Sequence, residues 1–250
     1  MEKIEYKNHY NLEKNYWWFK GQRKIILSLI EKYLKKNKKN SILDAGCGAG
    51  YNILKLKKYG KVLGIDYSKD AIIFSKKRGI KNIKKMDLNK ISLKKKFNLI
   101  ICSGVLYHRD IEINKVLKSF NKLLKKDGLL IITTPAINFL QKKFFLTDHD
   151  ETMQTGNRYY MSQISNKLIH SKLKIIHKSY FTFFLLAPII IFRIFYNFKN
   201  LFCKNDIKSN LFKLPNLLNS LLFYIMLLER EIILKFRLPI GLHLVIVAKK

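Results

Sequence analysis

Cysteine is scarce and scattered in this chain. The three, Cys47, Cys102 and Cys203, form no C-x-x-C pair. That spacing builds neither a thiolate metal site nor a disulfide framework, and it fits a reducing compartment. The polar start, Met1-Glu2-Lys3-Ile4-Glu5, lacks the apolar core of a secretory signal, so a cytoplasmic location is expected. The two longest apolar stretches, 181–192 and 217–228, fall short of the ~20 residues that a spanning helix needs. Acidic residues are also few: 17 against 49 Lys and Arg, a formal net charge of +32. Such a balance suits an anionic partner, RNA or an anionic membrane surface. The lysines, however, far outnumber the arginines and are spread with Asn and Ile through the whole chain. That is compositional bias, not a patch, and it speaks against nucleic-acid recognition. An apolar fraction of 48% supports a real core, and 250 residues suit one large domain with an appendage.

What the chain does have is Ser41-Ile42-Leu43-Asp44-Ala45-Gly46-Cys47-Gly48-Ala49-Gly50. An apolar strand ends in an acid, three glycines follow at every second position, and a helical pattern resumes at Asn52. Glycine carries no Cβ, so such a turn bends sharply and lets a ligand lie against the backbone. The spacing is neither the G-x-G-x-x-G dinucleotide fingerprint nor a P-loop, because no Gly-Lys-Ser/Thr follows. An acid before the first glycine repels a pyrophosphate and suits a cationic ligand.

The same alternation of strand and helix continues. Strand 61–66 ends in Asp66-Tyr67, about 20 residues after the first glycine, the spacing of a ribose-binding carboxylate. The plainer role for such an acid is a helix cap, with Ser68 and Asp70 as further candidates. A short strand at 80–86 closes on Asp87-Leu88. Strand 97–103 ends at Ser103 and leads to Gly104-Val105-Leu106-Tyr107-His108, and a helix at 113–124 is followed by a turn at 125–128 and strand 129–133. His108 lies where ligands bind in open α/β sheets. It is a candidate general base, or a helix-start histidine packed beneath the ligand. These strand–helix units predict a doubly wound, mostly parallel sheet.

The pattern D-x-G-x-G-x-G, with Asp66, Asp87-Leu88 and the strand-four segment in register, resembles the class I S-adenosylmethionine (SAM)-dependent methyltransferases over about residues 39–135. The resemblance implies an α/β Rossmann-like seven-stranded fold and SAM as cofactor. It implies that Asp44 lies near the methionine amine, that Ala45, Gly46, Gly48 and Gly50 admit the methionine and ribose, and that Asp66 and Tyr67 lie at the ribose. Asp87 and Leu88 then fall at the adenine, and Ser103 at the end of strand four also faces the cofactor. Leu-Leu-Lys-Lys-Asp-Gly-Leu-Leu-Ile resembles the entry to strand five of these enzymes, with Asp127 where glycine is usual.

Further segments resemble a subgroup linked with bacterial cell-surface glycan or lipid biosynthesis. They are Trp17-Trp18-Phe19 with Arg23, Pro135-Ala136, His149-Asp150, Arg158-Tyr159, Leu228-Glu229-Arg230 and Leu238-Pro239-Ile240-Gly241. Asn157 stands where that subgroup has a histidine, so that histidine's role does not carry over. His149, Asp150, Arg158 and Tyr159 are candidates to orient or deprotonate an acceptor hydroxyl, or else they stitch a loop together by hydrogen bonds and an ion pair. The spacing of acids and histidines offers no metal site. The aromatics at 16–19 either plug a helix onto the core or roof the methyl-donor pocket, where they would suit a sulfonium.

After a strand at 172–179, extended through 180–186, residues 187–240 read as an apolar helical insertion before a closing strand near 242–248. The domain reading is thus a cap at 1–38, a SAM-binding core at 39–186, the insertion at 187–240 and the closing strand at 241–250. Two apolar segments flanked by Lys and Arg fit peripheral contact with the inner face of a membrane through 181–236, a buried dimer surface, or a hairpin closing the pocket. The expected activity is methyl transfer to a hydroxyl of a glycan- or lipid-linked intermediate. A quinone-type small molecule or RNA is the alternative acceptor, and a non-catalytic SAM-binding, membrane-docked protein is the alternative class.

Overall fold

Runs rich in Ile, Leu and Val form strands because branched side chains pack well on a pleated surface, and continuous apolar runs belong to strands covered on both faces. The computed structural model describes residues 3–35, 37, 39–137, 157–191 and 214–250. Seven strands form one sheet: β1 Ser41–Ala45, β2 Lys61–Asp66, β3 Ile83–Lys85, β4 Phe97–Ser103, β5 Leu124–Pro135, β6 Lys174–Phe181 and β7 His243–Lys249. Their order is β3-β2-β1-β4-β5-β7-β6. The first five are parallel, and β7 runs antiparallel to both β5 and β6. The order reverses between β1 and β4, which opens a crevice at the C-terminal ends of those two strands.

Helices cover both faces. They are α1 Lys3–Leu12, α2 Trp17–Tyr33, α3 Tyr51–Leu56, α4 Lys69–Lys77, α5 Ile113–Leu123, α6 Met161–His170 and α7 Asn216–Lys235. Alternate strand residues feed two cores. Leu43, Ile100 and Ile246 face the apolar side chains of α5 and α6. Ile42, Leu99, Ile101 and Val245 face α2, α3 and α7.

The two ends of the chain meet in one layer. The Trp17 N–H donates to Asn219 Oδ1 at 2.8 Å, so α7 caps the start of α2. A Cβ at Gly21 would stand 2.7 Å from Met226 Cβ, so glycine sets the separation of α2 and α7. Trp18 stacks on Phe181 at 5.8 Å and lies 4.1 Å from the His243 ring. The aromatic cluster therefore plugs α2 onto the ends of β6 and β7.

Several sequence expectations need correction. Residues 3–12, the polar opening of the expected aromatic and helical cap at 1–38, form α1. The expected turn at 125–128 is a loop-out inside β5: it lies between the pairs Phe97–Leu124 and Leu99–Leu129, so the strand continues on both sides. Asp127 takes a φ of 61° there, the left-handed region that glycine enters freely, and its carboxylate pairs with Lys249 at 2.7 Å. The expected extension of β6 through 186 stops at Phe181. Thr182 turns to a φ of 62°, and Glu229 of α7, fully buried, accepts from the N–H groups of Thr182 (2.5 Å) and Phe184 (2.8 Å). Those amides are lost to any neighbouring strand. The apolar run at 217–228 is part of the longer α7. No helix among the described residues is long and apolar enough to cross a membrane.

Candidate active site

The glycine turn joins β1 to α3, and backbone bonds fix its shape. The N–H groups of Gly46 and Cys47 both donate to Ile65 O, at 2.8 and 3.0 Å, tying the turn to β2. Gly46, Gly48 and Gly50 all take positive φ. A Cβ at Gly46 would stand 2.3 Å from Val105 Cγ2, and one at Gly50 would stand 2.5 Å from Ile80 Cδ1. Side chains are thus excluded by conformation and by space at Gly46 and Gly50, and disfavoured by conformation alone at Gly48. Ala45 and Ala49 are fully buried beside them.

Asp66 ends β2 and holds the turn from below. Its Oδ2 accepts from the Gly48 N–H at 2.8 Å, and its Oδ1 accepts from the Ser68 N–H at 3.0 Å. Ser68 in turn caps α4, accepting from the N–H groups of Asp70 and Ala71. The capping reading of this region therefore falls on Ser68, while Asp66 binds the loop. Burial pushes the Asp66 carboxyl up, against the lowering effect of those backbone N–H groups.

Asp44 is 2% exposed, and its Oδ2 has no hydrogen-bond partner within the protein. Burial, with Glu13 and Asp66 nearby, pushes its carboxyl up to about 7. Glu13, from the turn between α1 and α2, completes a group of three buried acids. Its Oε2 accepts from the Tyr51 N–H at 3.3 Å and lies 3.3 Å from the Arg78 guanidinium. Burial outweighs that pairing and lifts Glu13 to about 7 as well. Arg23 of α2 donates to Glu13 O at 2.7 Å and lies over the Tyr51 ring. A buried acid without a partner is unfavourable unless a cation joins it. Among the described residues no three His, Cys, Asp or Glu side chains could hold a metal ion.

The other predicted positions are spread around this centre. Tyr67 is 72% exposed beside Asp66. Asp87 caps a short 3-10 turn, Leu88–Lys90, its Oδ1 accepting from the Asn89 N–H at 2.8 Å, and Leu88 is buried. Ser103 Oγ lies 2.8 Å from Thr133 Oγ1 and donates to Gln22 Oε1 at 3.2 Å. Gln22 therefore brings α2 to the end of β4. His108 lies in the turn after β4, its ring 4.4 Å from that of Tyr107. Tyr159 is buried, and its hydroxyl donates to Leu106 O at 3.3 Å, which ties the segment after β5 to the turn after β4. Asn157 and Tyr159 line a cavity of about 400 Å³ with Ile111, Asn114, Lys115 and Lys167. His149 and Asp150 lie outside the described residues. Glu13 and Gln22, which the structure places beside the candidate positions, could not be singled out from the sequence. Neither belongs to a motif, and each reaches the crevice only through the packing of α1 and α2.

Comparison with known proteins agrees with this geometry. A methyltransferase-domain family model matches residues 36–184, more than half of the chain. A ubiquinone biosynthesis O-methyltransferase of Pelagibacter ubique is 36% identical over 106 residues, 40% of this chain and 44% of that protein. A tRNA U34 carboxymethyltransferase of a Sulfurovum species is 30% identical over 154 residues, 58% of this chain and 50% of that protein. The chain spans about half the length of the curated relatives it matches. In fold it is similar to an S-adenosylmethionine-dependent methyltransferase from Mesorhizobium loti, with a TM-score of 0.59 and 16% identity, over 90% of this chain and 98% of that one. The glycine turn, the buried acids and the sheet order thus agree with the family match, and the chain belongs to the class I SAM-dependent methyltransferase family.

Proposed function

We propose that the chain transfers a methyl group from SAM to a hydroxyl of a glycan- or lipid-linked intermediate. The donor side of this reading is carried by Asp44, a buried carboxylate without a partner at the mouth of a side-chain-free turn. Asp44 would hold the donor's ammonium. Ala45, Gly46, Gly48 and Gly50 would pass its methionine and ribose. Asp66 would receive the ribose hydroxyls on the lone pairs its backbone bonds leave, beside Tyr67. Asp87, with one oxygen committed to Asn89, and Leu88 would frame the adenine, and Ser103 would close the β4 side. When bound, the donor supplies a methyl already made electrophilic by its sulfonium. The chain's own task is then to align the acceptor in line and to exclude water. His108 and Tyr159 are the described candidates for moving the acceptor's proton. Tyr159 has a backbone carbonyl as its partner and so is held in place beside the turn that carries His108.

The acceptor class rests on α7. Leu217, Leu221, Tyr224 and Leu228 recur at helical spacing along one face, and all are more than half exposed. That helix packs on α2, which carries Gln22 to the end of β4. An apolar face on this layer suits an acceptor with a lipid chain, presented at a membrane surface. A quinone-type acceptor is the second reading, supported by the likeness to the ubiquinone-pathway enzyme. Methyl transfer from isotope-labelled SAM to a membrane-lipid extract, with quinones and tRNA assayed in parallel, tests the reading. Label in a glycan- or lipid-linked species is expected. Label in tRNA alone would overturn the acceptor class, and SAM binding with no labelled fraction at all would favour a non-catalytic role.

A further inference from the structure

Resting on the donor reading above, we propose that Glu13 is a tethered substitute for the methyl donor's own carboxylate, which displaces it and frees α1 from the glycine turn. SAM carries an ammonium and a carboxylate on the same carbon. With the ammonium at Asp44, the carboxylate needs a cation at the same end of the turn. The guanidinium groups there are Arg23 and Arg78, both set over the Tyr51 ring at the start of α3. Both are already engaged by Glu13: Arg78 by its carboxylate and Arg23 by its backbone carbonyl. The Tyr51 N–H is taken by the same carboxylate. A second carboxylate drawn to Arg78 and to the Tyr51 N–H therefore competes with the Glu13 carboxylate for the same place.

The same contacts hold α1 in place. Arg78 also donates to Tyr10 O, and the Tyr10 ring packs on Phe74 of α4 at 5.1 Å. One turn earlier, Tyr6 lies close to Ser68 and Asp66, and burial raises its hydroxyl to about 12. The segment 6–13 thus runs from the acid at the end of β2 to the glycine turn, over the path assigned to the donor. Glu13 is a poor permanent occupant, because burial works against its ionised form even with Arg78 beside it.

Calorimetric titration of S-adenosylhomocysteine into the full chain and its Glu13→Gln variant, with hydrogen exchange on α1, tests this device. The product keeps the donor's carboxylate and lacks the reactive methyl. Glu13→Gln is expected to bind at least about fivefold tighter, an ordinary coupling between two occupants of one site. In the unaltered chain, saturating ligand is expected to speed exchange along residues 3–12. Equal or weaker binding by the variant overturns the proposal, and so does slower exchange in α1, which would make Glu13 and α1 a fixed wall of the site. Those two outcomes leave the donor reading standing. Failure of both proteins to bind would remove the donor reading and this proposal together.

Discussion

At the scale of single residues, the proposed donor site would give up stability for binding. Asp44 is deeply buried, lacks a partner, and titrates near 7 instead of 3.8 in the folded chain. Its folded pKa is raised, so its contribution to stability is fully present below the unfolded value and is lost as pH climbs from about 3.8 through about 7. Asp44→Asn keeps the shape and abolishes this titration. The variant is expected to be more stable than the unaltered chain above about pH 7, by at most about 4 kcal/mol, with the gap closing toward pH 4. Denaturant unfolding at several pH values checks the sign; a gap that does not depend on pH would show that the carboxyl is already ionised without penalty. The same variant is expected to bind SAM at least about tenfold more weakly, because the ammonium loses a charged partner. Asp66→Ala is expected to weaken SAM binding too, but with a loss of stability of about 1–3 kcal/mol, since the Gly48 and Ser68 N–H groups lose their acceptor. Calorimetry paired with thermal unfolding separates those two effects. Asp44, Asp66 and the glycines could be proposed from the sequence because chemistry and spacing place them close together along the chain. Glu13 could not, because its partners Tyr51 and Arg78 lie far along the chain and only the path of α1 brings them to it.

At the scale of elements, legibility followed the strength of local pattern. β2 and β4 match their expected bounds because each has an apolar centre that ends in a polar residue, Asp66 or Ser103. β6 was read too long because its apolar pattern continues past Phe181. What ends it is Glu229, nearly fifty positions away, which takes the backbone N–H groups of Thr182 and Phe184. The loop-out at 125–128 carries the signature of a turn but sits between two paired segments, a distinction that only register can make. The most consequential unread contact is between α2 and α7, each of which reads as a separate amphipathic or apolar stretch. Gly21 permits their close approach. Gly21→Ala is expected to lower stability by about 1–3 kcal/mol, the usual penalty of overpacking, since its Cβ meets Met226 at 2.7 Å. Thermal unfolding measures it, and an unchanged melting temperature would mean that the two helices slide apart freely.

At the scale of the whole molecule, the open matter is what the basic surface and the apolar face of α7 do together. A net charge of +32 attracts any anionic surface, but that attraction is screened over about 8–10 Å at ordinary salt and carries no choice of partner. An apolar face responds differently, since its burial depends little on salt. The two contributions therefore separate in one experiment. Co-sedimentation with vesicles rich in anionic lipid is expected to fall with added salt toward a plateau above zero, and the plateau is the part held by α7. Placing glutamates at Leu221 and Leu228, both more than half exposed, removes apolar area without disturbing the core. Each leucine buried in lipid contributes about 1.5–3 kcal/mol, so the double variant is expected to lose the plateau and keep the salt-sensitive part. If binding instead falls to zero with salt in the unaltered chain, the basic composition acts alone and α7 faces something other than lipid. A loss confined to the variant, together with an unchanged affinity for SAM, would tie the membrane surface to the acceptor and leave the donor site on β1 and β2 independent of it.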